Sequence, residues 1–137
     1  MELVGEIRAL IVDDSVAMRE AMRELVRSLE GCVVVGEGAN GVEALELARA
    51  LRPSLVVMDV HMPVLGGLEA MRRLLREAPG TPVVLVTSAL EPEVREAALR
   101  YGAVAILEKG SELWAGLSAI VAQLLCGPAA AVPRKIG

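Results

Sequence analysis

The sequence predicts an α/β protein, a three-layer sandwich in which one parallel sheet of five strands is covered by helices on both faces. Three observations support this fold class. Five short runs of apolar, β-favouring residues alternate with segments whose apolar residues recur at helical spacing. The runs are continuously apolar, which is typical of strands buried on both faces of a parallel sheet. Helices of about three turns between consecutive strands predict right-handed crossover connections.

The first strand–helix unit has a clear start and end. The strand covers residues 7–12, and Ser15 is a suitable N-cap for the helix that follows it. That helix is expected to end near Gly31, because glycine commonly follows a helix C-terminus. Its apolar residues have i, i+3, i+4, i+7 spacing, and they are Met18, Ala21, Met22, Leu25, Val26 and Leu29.

The second unit begins with a predicted buried strand over residues 33–35. Asn40 can cap the second helix, with Glu43 at the reciprocal position of a capping box. Arg52 precedes Pro53 and therefore marks the end of the helix. The predicted inward stripe of this helix consists of Val42, Leu45, Ala48 and Leu51.

The third strand is the apolar run Ser54–Met58, which ends abruptly in the carboxylate of Asp59. In open parallel sheets the ligand crevice lies beyond the carboxyl ends of the strands, so Asp59 is expected at the mouth of a site. The remaining elements are a helix after Gly66–Gly67, a strand over 82–86, a helix over 91–101, a strand over 104–107, and a helix capped by Ser111 that continues to Leu125.

Length, charge and cysteine content narrow the class of protein. The 137 residues fit one domain, predicted over 1–126, followed by a disordered tail or linker stub over 127–137. A net charge of -4 offers no basic surface for direct binding of nucleic acid or an anionic membrane. No apolar run approaches the roughly 18 residues of a spanning helix, and a signal-peptide pattern is missing. The two distant cysteines predict reduced thiols in a cytoplasmic protein.

Polar residues follow four of the five predicted strands. They are Asp13–Asp14, Asp59, Thr87–Ser88 and Lys109. Because the carboxyl ends of parallel strands share one edge of the sheet, these residues are expected to converge. Two carboxylates ~4 Å apart repel by about 4 kcal/mol at an effective dielectric constant of ~20, so a cation is needed to offset the repulsion. Oxygen ligands and the prospect of a phosphate favour Mg²⁺.

The same group of residues is suited to phosphoryl chemistry. Lys109 supplies a mobile positive charge for a phosphate oxygen, and Thr87 supplies a hydroxyl donor. A nucleophilic carboxylate beside a metal ion and an ammonium group favours an aspartyl-phosphate intermediate on Asp59. Taken singly, each residue has an ordinary structural explanation as a helix cap, a turn residue or a solvated charge. The joint placement at four strand ends is what favours a site.

Five separated motifs, matched in order over roughly residues 6–126, carry a family resemblance. They are Ile11–Ser15, Met58–Asp59 with Met62–Pro63, Gly67–Glu69, Val86–Ala89 and Lys109. The chain resembles the receiver domain of two-component response regulators. The resemblance implies the flavodoxin-like doubly wound fold with strand order 2-1-3-4-5. It also implies phosphotransfer onto Asp59 from a sensor histidine kinase or phosphotransfer protein, in a module that is not otherwise an enzyme.

The resemblance further implies a site for Mg²⁺, or Mn²⁺ in its place. The metal would be held by Asp13 or Asp14, by Asp59 and by the backbone carbonyl of His61. Thr87 and Lys109 would bind the phosphoryl oxygens. Met62–Pro63 is expected to bend the chain so that the His61 carbonyl faces the metal.

Three positions depart from the family pattern. Ile106 stands where a Tyr or Phe switch residue is usual, and Gly110 stands where a proline commonly follows the lysine. Ala89 cannot position a water molecule, so the phosphorylated state is expected to be long-lived. Ser88, Ala89 and Ile106 are assigned to the switch surface on these grounds.

Phosphorylation is expected to change the surface of the fourth helix, fifth strand and fifth helix. Small and apolar residues predicted there favour a homodimer, and they are Ala97, Ala98, Leu99, Ala105, Leu107 and Trp114. The pair Gly110–Ser111 resembles receivers that are joined to helix-turn-helix output domains. That resemblance is compatible with an output domain C-terminal to this sequence, which the sequence itself does not decide.

Two alternatives come from other classes of protein. A degenerate receiver could act as a docking module without being phosphorylated, and the missing aromatic at Ile106 keeps that reading open. Gly36, Gly38 and Gly41 match the GxGxxG fingerprint of a dinucleotide site, with Asp59 about 18 residues further on. That reading leaves the acidic pair and Lys109 unexplained. An aspartyl-phosphate hydrolase would need an acid where His61 stands.

Overall fold

The computed structural model describes residues 6–126, which form five strands and five helices. The strands are β1 (Ile7–Val12), β2 (Cys32–Gly38), β3 (Leu55–Asp59), β4 (Val83–Thr87) and β5 (Ala105–Glu108). The helices are α1 (Val16–Arg27), α2 (Gly41–Leu51), α3 (Gly67–Glu77), α4 (Pro92–Arg100) and α5 (Ser111–Cys126). All ten elements occur in the predicted order. The predicted tail, 127–137, lies outside the described residues.

All five strands are parallel and lie in the order β2-β1-β3-β4-β5, which confirms the flavodoxin-like sheet. The register pairs Val12 with both Gly38 and Met58, and Asp59 with Val86, so the carboxyl ends of the central strands are nearly level. The chain turns to opposite sides of β1 to form β2 and β3. A crevice therefore opens beyond the ends of β1 and β3, at the topological switch point of the sheet.

Two aliphatic cores lie on opposite faces of the sheet. On β1, Ala9 and Ile11 belong to the core covered by α1 and α5, whereas Leu10 and Val12 belong to the core covered by α2, α3 and α4. Every residue of β3 and β4 is buried. Full burial of one such aliphatic side chain stabilises the fold by about 1.5–3 kcal/mol. Asp59 therefore ends a strand that is held from both faces.

Side-chain caps hold the starts of α1 and α2. Ser15 Oγ accepts the Met18 N–H at 3.1 Å, and Asn40 Oδ1 accepts the Glu43 N–H at 3.0 Å, as predicted. The Glu43 carboxylate accepts the N–H of Ala39 at 2.7 Å, one residue before the expected partner. Each such cap contributes about 1 kcal/mol.

Several predicted details are wrong. β2 is longer than predicted and only partly buried, because it is the edge strand of the sheet. Val42, expected in the core, is 40% exposed, and Ala44 packs inward beside Leu45 instead. The reason is the close approach of the helix start to the β3–α3 loop, where the Gly41 N–H donates to the Leu65 carbonyl at 2.9 Å.

Helix boundaries also differ in detail. Ser111, predicted as a cap, is the first residue of α5, and α1 ends at Arg27, before the predicted end near Gly31. Within residues 6–126, no helix is long and apolar enough to cross a membrane.

Candidate functional site

The structure brings the strand-end carboxylates together at the crevice. Asp13 and Asp14 follow β1, and Asp59 is the last residue of β3. Each of these residues offers one carboxylate oxygen, and the three oxygens lie within 4.8 Å of one another. Asp13 is fully buried and Asp59 is 5% exposed, whereas Asp14 is exposed to solvent. The cluster therefore meets solvent through Asp14.

Lys109 follows β5 and reaches into this cluster. Its Nζ lies 3.0 Å from Asp13 Oδ2 and 3.5 Å from Asp59 Oδ2. Burial on its own lowers the pKa of Lys109, but the neighbouring carboxylates of Asp13 and Asp59 outweigh burial and raise that pKa. The backbone N–H of Lys109 donates to the backbone carbonyl of Thr87 at 2.8 Å, and this hydrogen bond joins the ends of β4 and β5. The ammonium group is thus cationic and held beside two carboxylates.

Gly110 makes the turn that follows Lys109. It has φ of +127°, a backbone conformation that residues with a side chain rarely adopt. Glycine at this position therefore allows the chain to turn directly after Lys109.

One ammonium group does not balance three carboxylates. Burial, and next the charge of Asp13, raise the pKa of Asp59, although Lys109 and the His61 N–H act in the opposite direction. Asp13 Oδ1 accepts the Ser15 N–H at 2.9 Å. Asp13 Oδ2 is buried, and its neighbour there is the Lys109 ammonium group at 3.0 Å. The cluster retains excess negative charge.

The donor set fits a hard divalent cation. Mg²⁺ typically takes one or two carboxylates and completes its shell with water and phosphate oxygens. Asp13 Oδ2 is buried beside the solvent-facing Asp14, and it accepts no hydrogen bond of good geometry although Lys109 lies near it, so it can serve as a ligand for a cation. The side chain of His61 is exposed, and the His61 N–H approaches Asp59 Oδ1 at 3.4 Å. That contact places the backbone of His61 beside the Asp59 carboxylate.

The loop after Asp59 is held by contacts that sequence reasoning missed. The Gly67 N–H donates to the Val60 carbonyl at 2.8 Å, and a Cβ on Gly67 would lie 2.0 Å from the Asp59 carbonyl oxygen. The sharp bend lies at Val64, with φ of +70°, where the Leu65 N–H donates to the Pro63 carbonyl at 2.7 Å. In the sequence, the pair Gly66–Gly67 predicted only the start of a helix. It did not predict that Gly67 packs against the backbone of Asp59.

Thr87 and the residues assigned to the switch surface differ in their exposure to solvent. Thr87 is fully buried, and its hydroxyl donates to the Ala89 carbonyl at 3.2 Å instead of reaching a carboxylate. Ser88 and Ala89 are exposed to solvent. Ile106 is only 5% exposed and packs in the core beneath α2, α3 and α4, because its position on β5 points it inward. Ile106 is therefore a buried residue, and its assignment to the switch surface stays a prediction.

The GxGxxG glycines do not form an open phosphate cradle. A Cβ on Gly36 would lie 2.7 Å from Leu51 Cδ1, and a Cβ on Gly41 would lie 2.4 Å from the Leu65 carbonyl oxygen. A Cβ on Gly38 would meet the side chain of Glu43 at 3.3 Å. These glycines allow α2 to pack closely on its neighbours, so the geometry does not favour the dinucleotide alternative.

Comparison with known proteins decides the family. The response regulator receiver domain family matches residues 9–120. The chain belongs to this family. This receiver domain is 50% identical over 105 residues to protein-glutamate methylesterase/protein-glutamine glutaminase 4 of Myxococcus xanthus, covering 75% of this chain and 30% of that protein. Response regulator GacA of Pseudomonas aeruginosa is 41% identical over 107 residues, covering 78% of this chain and 50% of that protein.

Solved structures agree with this assignment. The response regulator domain of Thermotoga maritima CheB is similar with a TM-score of 0.74 and 33% identity, over 88% of this receiver and 94% of that chain. A LuxR-family two-component response regulator from Aurantimonas sp. SI85-9A1 gives a TM-score of 0.82 and 31% identity, over 90% and 87% of the two chains. The receiver spans half or less of the two curated relatives described above.

Proposed function

We propose that this receiver accepts a phosphoryl group on Asp59 from a sensor histidine kinase or phosphotransfer protein. The observation that carries the proposal is the carboxylate cluster within 4.8 Å, with Lys109 Nζ 3.5 Å from Asp59 Oδ2. Among residues 6–126 no other group of three His, Cys, Asp or Glu residues is close enough to hold a metal ion. Because the acidic pair, Asp59 and Lys109 are all present and converge, a docking module that is never phosphorylated is not favoured.

The metal would be Mg²⁺, or Mn²⁺, held by Asp13, Asp14, Asp59 and the His61 backbone carbonyl. When bound, it neutralises the negative charge of the carboxylates and of the incoming phosphoryl oxygens. One Asp59 carboxylate oxygen attacks the phosphorus atom and forms the new O–P bond. The P–N bond to the donor histidine breaks, and its electron pair stays on the imidazole, which takes up a proton.

Two residues of the receiver then respond to the phosphoryl group. Lys109 moves from the carboxylates to a phosphoryl oxygen, which keeps its positive charge beside the new negative charge. The Thr87 hydroxyl leaves the Ala89 carbonyl and donates to another phosphoryl oxygen. Since Thr87 precedes Ser88 and Ala89 directly, this change pulls on the exposed loop and provides a two-state switch.

Intact mass measurement after incubation with acetyl phosphate and Mg²⁺ tests this function. The wild type should gain one phosphoryl group, and Asp59→Asn should gain none. Glu108→Gln is the matched control, because Glu108 is an exposed carboxylate at the end of β5 that lies outside the cluster. It should be phosphorylated like the wild type. A phosphoryl group on Asp59→Asn, or none on the wild type, would overturn the proposal.

The phosphorylated state should be long-lived, with at most slow self-dephosphorylation. Ala89, two residues after Thr87, has no side-chain group that could hold an attacking water molecule. Radiolabelled phosphoprotein should therefore persist over minutes, and Ala89→Glu should shorten its lifetime. Loss of label from the wild type within seconds would contradict this.

The output surface is proposed to be formed by α4, β5 and α5, and to pair two receivers. Leu99 is 43% exposed, Val104 48% and Trp114 54%, which leaves apolar area uncovered on this side. Ala98, predicted there, is fully buried and does not contribute. Sedimentation with and without beryllofluoride tests the pairing, and a monomer in both states would count against it. The greater length of the curated relatives supports a further output domain beyond this chain.

A further inference from the structure

Arg19, on the first turn of α1, connects the carboxylate cluster to the edge of the sheet. Its Nη1 donates to the backbone carbonyl of Asp13 at 2.7 Å. Its Nε lies 3.7 Å from Glu37 Oε1, near the end of β2. The Arg19 side chain is only 19% exposed, so it is held between these two partners.

The backbone of Asp13 is held on both sides by this arrangement. The Asp13 N–H donates to the Gly38 carbonyl at 3.0 Å, and Arg19 holds the Asp13 carbonyl. The carbonyl that Arg19 binds belongs to the peptide between Asp13 and Asp14. Its orientation sets the direction of Asp14, whose exposed side chain has little packing of its own. Arg19 thus restrains the solvent-facing carboxylate through the backbone.

Glu37 anchors Arg19 and balances its charge. Glu37 also accepts hydrogen bonds from Arg23, at 2.6 Å from Nε and 3.3 Å from Nη2. The hydrogen bond from Arg23 outweighs burial and lowers the pKa of Glu37, so the carboxylate stays ionised at neutral pH. Arg19 and Arg23 are therefore two cations on one helix face with the same partner, and only Arg19 contacts Asp13.

We propose that Arg19 is a positioning residue for the divalent cation of the site. It holds the Asp13–Asp14 peptide in the orientation that lets both carboxylates face the metal, and Glu37 fixes the guanidinium in place. This inference rests on the metal site in the proposed function. Loss of a partner that orients metal ligands typically lowers metal affinity by about 10–100-fold. Because Arg19 acts through the backbone, we expect the lower end of this range, about tenfold.

Charge and geometry make opposite predictions for the loss of Arg19. Arg19→Met removes a positive charge near a cation site, so electrostatics alone would tighten Mn²⁺ binding or leave it unchanged. Loss of the Asp13 contact should instead weaken Mn²⁺ binding about tenfold. Arg23→Met is the matched control, because it removes the same charge from the same helix and partner without touching Asp13. It should bind Mn²⁺ at least as tightly as the wild type.

Electron paramagnetic resonance of free Mn²⁺ measures these affinities without any phosphoryl donor. Circular dichroism verifies that each variant is folded, and Arg19→Gln replaces Arg19→Met if the latter does not fold. Arg19→Lys, which keeps a donor and the charge, should recover most of the lost affinity. If Arg19→Met binds Mn²⁺ as tightly as Arg23→Met, the inference is wrong while the proposed function stands. If the wild type binds no Mn²⁺, the metal site of the proposed function fails first.

Discussion

Gly67, the first residue of α3, packs against the backbone of the candidate phosphoacceptor. A Cβ on Gly67 would lie 2.0 Å from the Asp59 carbonyl oxygen, 2.9 Å from the Asp59 carbonyl carbon and 3.1 Å from Val60 Cα. These are backbone atoms, which cannot turn away as a flexible side chain could. Real Cβ atoms essentially never approach within 3.0 Å of such neighbours. Gly67→Ala must therefore move α3 or the end of β3 by about 1 Å.

That movement should affect both the stability of the fold and the rate of phosphorylation. Overpacking of a buried site typically destabilises by about 1–3 kcal/mol, and the upper end applies here because β3 is packed on both faces. A misplacement of about 1 Å at a reacting group can lower its rate about 100-fold. Gly67→Ala should thus lower the free energy of unfolding in urea by about 3 kcal/mol. Its rate of phosphorylation by acetyl phosphate should fall about 100-fold.

Two other glycines provide controls for this substitution. A Cβ on Gly66 would lie 3.2 Å from the Val60 carbonyl oxygen, so Gly66→Ala needs only a small adjustment. A Cβ on Gly80 would have no atom within 4 Å, so Gly80→Ala should be neutral or stabilise by about 0.4–1 kcal/mol. If Gly67→Ala is as stable as Gly66→Ala and is phosphorylated at the wild-type rate, the packing argument is refuted.

Three further predictions follow from the site and its surroundings. Burial and the charge of Asp13 raise the pKa of Asp59, so its ionised form destabilises the metal-free fold. Asp59→Asn should therefore raise the urea midpoint at pH 7 without metal, and the gain should disappear below pH ~3.9, where Asp59 is protonated in both states. Asn40→Ala should cost about 1 kcal/mol in urea unfolding, since it removes the α2 cap, and leave phosphorylation unchanged. Ile106→Tyr should cost about 1–3 kcal/mol, because a larger ring overfills the core beneath α2, α3 and α4.

Each of these predictions has a contradicting result. Equal urea midpoints for Asp59→Asn and the wild type at pH 7 would mean that Asp59 is not destabilising. A negligible loss for Asn40→Ala would show that the cap contributes nothing. Wild-type stability of Ile106→Tyr would indicate that the ring does not overfill this core.

Sequence reasoning predicted the order and type of all ten elements, because apolar spacing and capping residues act locally. It also predicted which carboxylates and which lysine converge at the crevice. It failed where the outcome depends on neighbours distant in the chain. Val42 was placed in the core by its spacing, but the contact between Gly41 and Leu65 turns that side of α2 outward. The burial of Ile106 likewise depends on distant neighbours, because it packs in the core beneath α2, α3 and α4.

The amino-acid sequence by itself determined the parallel α/β architecture and the identity of the residues at the strand ends. It could do so because any parallel sheet brings the carboxyl ends of its strands to one edge. Only the tertiary structure decided how that edge is held. Gly67 lies close to the backbone of Asp59 because it has no side chain, and this contact joins α3 to β3. The hydrogen bond from Arg19 to the Asp13 carbonyl joins α1 to the end of β1. Such contacts depend on how helices pack on the sheet, which no local pattern encodes.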